Sequence, residues 1–121
     1  MNFYRCNICG NVIEVIEGNN KNIKCCGKEM ELLIANSVDA SLEKHVPSYK
    51  IIDDKIEVTI GETIHPMELD HYIMWIALVK DNKIIRYNLK PNDKPKVIFP
   101  LEKESIICAY CNKHGLWKKE I

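Results

Sequence analysis

The sequence predicts a mainly β protein in two parts, a small cysteine-stapled metal domain over residues 1–36 followed by a β-sandwich over residues 37–121. Three observations lead there. Four of the six cysteines fall in the first 26 residues, among few apolar side chains. Beyond Asn36, short apolar segments recur between turn-forming residues, one alternating polar and apolar with period two. Nowhere does an amphipathic helix of useful length appear.

The N-terminal part offers two short strands, Val12-Ile13-Glu14-Val15-Ile16 and Met30-Glu31-Leu32-Leu33-Ile34, and a turn at Gly18-Asn19-Asn20. So little apolar surface does not fold alone, and small domains of this kind need a metal or disulfides as a staple. Asn36 to Lys50, with Pro47, is irregular and reads as a long loop over one end of the second part. Lys55–Ile60 alternates as a half-buried strand does, whereas Tyr72–Val79 reads as a more buried one. Further strands are expected at Lys83–Leu89, Lys96–Phe99 and Ser105–Tyr110. Asp53-Asp54, Gly61-Glu62, Asp81-Asn82 and Pro91-Asn92-Asp93 separate them as turns. Short strands at regular spacing make a sandwich.

Bulk composition excludes several classes of function. With 17 basic and 17 acidic side chains the chain has no net field for nucleic acid or an anionic membrane, so capture of an anion must be local. The longest uncharged apolar run, Tyr72–Val79, falls far short of the ~20 residues that span a bilayer. The start, Met1-Asn2-Phe3-Tyr4-Arg5-Cys6, lacks the pattern of a secretory signal, and a cytoplasmic location is expected. In a reducing cytosol six cysteines point to metal rather than to a disulfide scaffold, and a bridge between adjacent Cys25 and Cys26 would be strained.

Two metal centres of different chemistry follow. Cys6-x-x-Cys9-Gly10 has the form of a knuckle that turns two thiolates onto one ion, and Cys25 and Cys26 complete a set of four suited to zinc or iron. Neighbouring side chains diverge, so a distorted angle is expected at the second pair. The four histidines, His45, His65, His71 and His114, each lie near another donor, and Cys111-x-x-His114-Gly115 is a compact turn. Four imidazoles and one thiolate give five donors. That disfavours structural zinc, which is normally four-coordinate and closed, and leaves iron one position for a small ligand. A thiolate opposite that position would push electron density towards it. Cys108 is the ambiguity: Cys108-x-x-Cys111 also fits a knuckle, but Cys111 is the better ligand candidate and Cys108 reads first as a buried thiol on the last strand. Glu43 and Lys44 precede His45 directly, where a lysine could attract an anion and a carboxylate could fill the sixth position; a solvated charged loop reads as well. Trp75 and Trp117 are expected in packing, Trp117 as a shield for the site.

In order along the chain, Cys6-x-x-Cys9, Cys25-Cys26, Glu43-Lys44-His45-Val46-Pro47, His65-Pro66-Met67, His71-Tyr72-Ile73-x-Trp75 and Tyr110-Cys111-Asn112-x-His114-Gly115-Leu116-Trp117 resemble the desulfoferrodoxin family of two-iron superoxide reductases. The resemblance runs over essentially the whole chain. It implies a desulforedoxin-like Fe(Cys)4 domain with Cys6, Cys9, Cys25 and Cys26, and an immunoglobulin-like β-sandwich carrying a second iron. His45, His65, His71 and His114 would be its equatorial ligands and Cys111 the axial one. Lys44 would draw in superoxide and support protonation, and Glu43 would be the sixth ligand of the resting ferric state. The implied reaction is one-electron reduction of superoxide to hydrogen peroxide, with electrons from rubredoxin or a similar donor, in a homodimer. Two other readings compete: an electron carrier whose second site is structural, and a zinc-stabilised binding module.

Overall fold

The computed structural model describes residues 2–18, 22–38, 40, 42–61 and 65–121, apart from the Glu43 side chain. Asn19, Asn20 and Glu62, expected in turns, lie outside the described residues. The chain divides into two compact units, Met1–Ile34 and Ala35–Ile121.

The first unit is a three-stranded antiparallel sheet with a small hairpin. β1 (Phe3–Arg5) pairs on one side with β2 (Val12–Glu14) and on the other with β5 (Glu31–Leu32), while β3 (Lys24–Cys25) and β4 (Lys28–Glu29) pair with each other. The expected strands at 12–16 and 30–34 shrink to three and two residues. Among the described residues its buried side chains are Phe3, Tyr4 and Cys6. That small a core explains why the strands are short.

The second unit is the expected sandwich of seven antiparallel strands. β6 (Pro47–Ile52), β7 (Lys55–Ile60) and β10 (Lys96–Pro100) form one sheet in the order β10-β7-β6. β8 (Ile73–Lys80), β9 (Lys83–Asn88), β11 (Ile106–Cys111) and β12 (Gly115–Glu120) form the other in the order β12-β11-β8-β9. The first, second and fifth sandwich strands thus face the fourth, third, sixth and seventh, an immunoglobulin-like arrangement. Ile56, Val58, Ile60 and Phe99 of one sheet meet Ile73, Ile76, Leu78, Ile107, Ala109 and Cys111 of the other in the core between them.

Two expectations are corrected. Asn36–Lys50 is not one long loop: α1 (Leu42–His45) makes a single turn, closed by Val46 N–H donating to Leu42 O at 3.0 Å, and β6 begins at Pro47. Pro47 misleads because proline reads as a breaker, yet as the first residue of an edge strand it leaves no ladder donor unmade. Nor is 105–110 the last strand, since β12 follows it. The lysines of β12 conceal a strand whose start is fully buried, with Leu116 and Trp117 inside and Lys118–Glu120 running out to solvent.

Candidate metal centres

In the first unit, local turn chemistry gathers the sulfurs. Gly10 N–H donates to Cys6 O at 2.9 Å, and Gly10 takes φ +80°, a region its missing Cβ makes accessible. Opposite, β3 and β4 are joined by the two-residue loop Cys26-Gly27, both with positive φ (53° and 77°), as a type I′ hairpin requires. Cys25 ends a strand and Cys26 sits in the turn, so their side chains do not diverge as extended neighbours would. Their sulfurs stand 4.0 Å apart and Cys9 Sγ is 3.6 Å from Cys25 Sγ. Four thiolates ~2.3 Å from one tetrahedral ion stand ~3.8 Å apart, so these spacings need little adjustment. With both sulfurs ~2.3 Å from one ion, the 4.0 Å spacing would open the Cys25–ion–Cys26 angle to about 120°, wider than tetrahedral, as expected of adjacent cysteines.

Electrostatics here also call for a cation. Backbone N–H groups of Cys9 and Ile8 hold the Cys6 thiol down at about 6. Its crowded neighbours go the other way: Cys9, then Cys6, raises Cys25, and Cys9, Cys25 and Cys6 push Cys26 up to about 12. The cluster by itself thus carries a thiolate easily at Cys6 and resists one at Cys25 or Cys26, which a bound cation reverses. Asn11 Nδ2 donates to Cys25 Sγ at 3.8 Å, a contact no spacing argument had suggested.

In the second unit the antiparallel register brings the remaining donors to one end of the sandwich. His45 closes α1 immediately before β6, His65 and His71 precede β8, Cys111 ends β11, and His114 occupies the β11–β12 turn. Pro47 pairs with Ile60, and Cys111 with both Ile73 and Gly115, which places these loops together. The donor atoms of His45, His65, His71, Cys111 and His114 all lie within 4.8 Å of one another.

The imidazoles form a near-square. Ring centroids are 4.6 Å apart for His45–His65, 4.8 Å for His65–His71, 5.0 Å for His71–His114 and 4.7 Å for His45–His114, with neighbouring rings crossed at 78–88°. His45 and His71, at opposite corners, are 6.4 Å apart and more nearly parallel at 26°. A square requires a diagonal roughly 1.4 times its side, whereas tetrahedral donors have no diagonal. His45 Nε2 and His114 Nδ1 are 3.0 Å apart, the ~3.0 Å expected of imidazole nitrogens at right angles ~2.1 Å from one ion. Cys111 Sγ is 4.0 Å from His114 Nδ1.

Orphaned atoms point to a metal. His65 Nε2 and His71 Nε2 are buried with no hydrogen-bond partner, which is costly unless an ion takes their lone pairs. The tautomer of His65 fits: its Nδ1 lies 2.6 Å from Pro66 O and must donate there, so Nε2 is the bare nitrogen. Burial holds His65 down at about 4 and lowers His71, with His114 and Lys113 adding to the latter, so both rings stay neutral and able to ligate. Burial raises the Cys111 thiol, although backbone N–H groups of His114 and Lys113 pull it down. The donor set, nitrogen in a square plus one sulfur, fits iron better than a closed tetrahedral zinc.

Cys108 does not join the cluster. Period two along β11 puts Cys111 on the core side with Ile107 and Ala109, and Cys108, three residues away, on the opposite face. Lys44 is exposed beside His45, whereas the Glu43 side chain lies outside the described residues. Trp117 stacks on His45 (4.9 Å, 27°) and donates from Nε1 to His114 O at 3.0 Å, the shielding position expected of it. Unforeseen was Asn112. Its Oδ1 accepts from Tyr72 N–H at 2.9 Å and its Nδ2 donates to Asp70 O at 3.0 Å.

Known proteins carry the same arrangement. The chain matches Desulfoferrodoxin over residues 37–120 and the Desulfoferrodoxin N-terminal domain over residues 1–33. It is 47% identical over 118 residues to the desulfoferrodoxin of Syntrophotalea carbinolica, covering 97% of this chain and 94% of that one. Similarity to the desulfoferrodoxin of Nitratidesulfovibrio vulgaris is 39% over 118 residues, with the same coverage. The crystal structure of the superoxide reductase from Treponema pallidum superposes with a TM-score of 0.75 at 26% identity, covering 98% of this chain and 97% of that one. The four-thiol and four-imidazole-one-thiol clusters match the two iron centres of desulfoferrodoxins. With both of its units matched and both donor sets assembled, the chain belongs to the desulfoferrodoxin family.

Proposed function

We propose that this protein is a superoxide reductase, converting superoxide, one electron and two protons into hydrogen peroxide without releasing oxygen. The square of four imidazoles with one thiol beside it carries the reading. Residue by residue, His45, His65 and His71 would hold iron through Nε2, His114 through Nδ1, and Cys111 through its sulfur. Iron bound by these five residues would supply the reducing electron. Cys6, Cys9, Cys25 and Cys26 are assigned to the Fe(Cys)4 centre.

The chain's own groups do the remainder. Lys44, exposed on the turn that ends in His45, attracts the small anion to a protein with no net charge and orders water for proton delivery. Lys113 contributes positive potential next to Cys111 and His71. Glu43 would serve as a further ligand of the oxidised iron. Trp117, stacked on His45, shields that ring. Re-reduction needs an outside electron, from rubredoxin or a similar carrier, and the family resemblance supports a homodimer. Six cysteines with no disulfide among them suit a reducing compartment, in line with a cytoplasmic protein. No helix among the described residues is long and apolar enough to cross a membrane.

Stoichiometry tests the activity. Iron-loaded, reduced protein mixed with superoxide should yield one peroxide for each superoxide consumed and no oxygen. Half that peroxide yield with oxygen release would make it a dismutase, and no consumption above the protein-free rate would leave an electron carrier.

A further inference from the structure

Where β11 ends, its ladder with β8 becomes irregular. Tyr110 faces Trp75 but Cys111 faces Ile73, so Met74 is the extra residue of a bulge. One further backbone bond, Asn112 N–H to Tyr72 O at 3.3 Å, continues the pairing. The main chain then turns away through Lys113 to deliver His114, and the backbone of β11 no longer reaches the Tyr72 N–H or the Asp70 carbonyl. Asn112 replaces it with its own amide, which is a peptide group in miniature. Oδ1 takes the Tyr72 N–H and Nδ2 serves the Asp70 carbonyl.

The segment so held carries His71. That histidine closes a tight turn in which Glu68 and His71 exchange both backbone bonds, at 2.9 and 3.0 Å, across Leu69-Asp70. Leu69 at the tip is exposed, and the Glu68 side of the turn is anchored through Met67, whose carbonyl accepts from Asn92 N–H at 2.7 Å and whose side chain packs on the core. The His71 side is tied to β11 through Asn112, whose neighbours in sequence are Cys111 and, two residues on, His114. One side chain thus sets the distance between a ligand from the β7–β8 connection and the two ligands of the β11–β12 turn. Only asparagine fits: aspartate accepts from Tyr72 but cannot donate to Asp70 O when ionised, glutamine is one methylene too long, and alanine makes neither bond.

We propose that Asn112 is a positioning residue of the five-donor centre, fixing His71 relative to Cys111 and His114 by extending the β8–β11 pairing with its side chain. The inference rests on those five donors holding iron, as proposed above, and not on what the iron reacts with.

The test compares iron-loaded parental protein with Asn112→Ala and Asn112→Asp. Two quantities are read: the absorption of the single-thiolate ferric centre, and the rate at which that centre loses iron to a chelator. The Fe(Cys)4 absorption of the same molecule serves as the internal reference. Removing an outer-shell partner of a ligand typically costs about 10- to 100-fold in metal affinity. Asn112→Ala is therefore expected to lose iron from the five-donor centre at least about tenfold faster, with a shifted or broadened thiolate band and an unchanged Fe(Cys)4 signal. Asn112→Asp, keeping one bond of two, should fall between; if the alanine variant does not fold, the aspartate variant alone carries the comparison. Parental iron-loss rates and band shape in the folded variants would overturn the proposal, even if superoxide consumption slowed. Variants that show these shifts from a parental protein that itself fails to consume superoxide would overturn only the activity.

Discussion

At the residue scale, the choice between Cys108 and Cys111 shows how a ligand is selected by geometry rather than by type. Both are buried thiols on β11, and their spacing fits a knuckle. In an extended strand a separation of three reverses the face, so only one of them can reach the histidines. Replacing Cys111 by serine should abolish the lower-energy thiolate absorption of the iron-loaded protein, while Cys108→Ser should leave it in place. Retention of the band in Cys111→Ser would refute the assignment. His65 makes a second, pH-dependent case. Burial holds its folded pKa at about 4, below the ordinary imidazole value of about 6.5, so between these values the unfolded chain binds more protons. Metal-free protein should accordingly lose stability as pH falls from 6.5 towards 4, by roughly 2–4 kcal/mol from this group, and no further below that. Denaturant titrations at the two ends of that window, for the parental protein and His65→Asn, measure it; equal losses in both would rule it out. The role proposed for Lys44 is of longer range. Lys44→Ala should slow superoxide consumption roughly tenfold at low salt and flatten its dependence on ionic strength, as removal of a steering charge does. An unaltered salt dependence would place the attraction elsewhere.

At the scale of elements, the ligand loops are secured by asparagines that act as detached pieces of backbone. Asn36, at φ +60°, donates its N–H to Leu116 O at 2.9 Å. Its side chain accepts from Lys118 N–H at 2.9 Å and donates to Lys118 O at 3.3 Å. It so pairs with the free edge of β12, the strand that begins next to His114, and blunts that edge against pairing with another chain. Asn36→Ala leaves both Lys118 groups to solvent and should cost roughly 1–3 kcal/mol, read as a lower denaturant midpoint at unchanged slope. A midpoint equal to the parental one would show that the edge is held by something else. One helical turn at Leu42–His45 does the corresponding task for His45: it is too short to be stable alone and is tied to the sandwich by Gly61 N–H donating to Val46 O at 3.1 Å.

At the scale of the whole molecule, the two units depend on metal to different degrees. The sandwich has a continuous core of isoleucine, valine, leucine and phenylalanine between two sheets, which stands without an ion. The first unit, with three buried side chains among its described residues, gains its order from four sulfurs around a cation. Stripping both metals should abolish hydrogen-exchange protection over residues 2–34 while β7, β8 and β11 stay protected. Persistent protection of the N-terminal peptides would show that the thiol cluster is dispensable for folding.

The sequence by itself determined the class of fold, the two sets of donors and the family, because period-two patterning, turn residues and the chemistry of cysteine and histidine are local properties. Lys55–Ile60 and Lys83–Leu89 are legible as strands for that reason, and Cys6-x-x-Cys9 as a knuckle. What only the tertiary structure decided is non-local. That the imidazoles form a square follows from the register of β7, β8 and β11, which no spacing along the chain encodes. The rejection of Cys108 needed the face of a strand, and the convergence of Cys25 with Cys26 needed two consecutive left-handed residues in one hairpin. Asn112 was visible in the sequence as a neighbour of two ligands. Its role depends on residues 40 positions earlier, brought within hydrogen-bond reach by the fold.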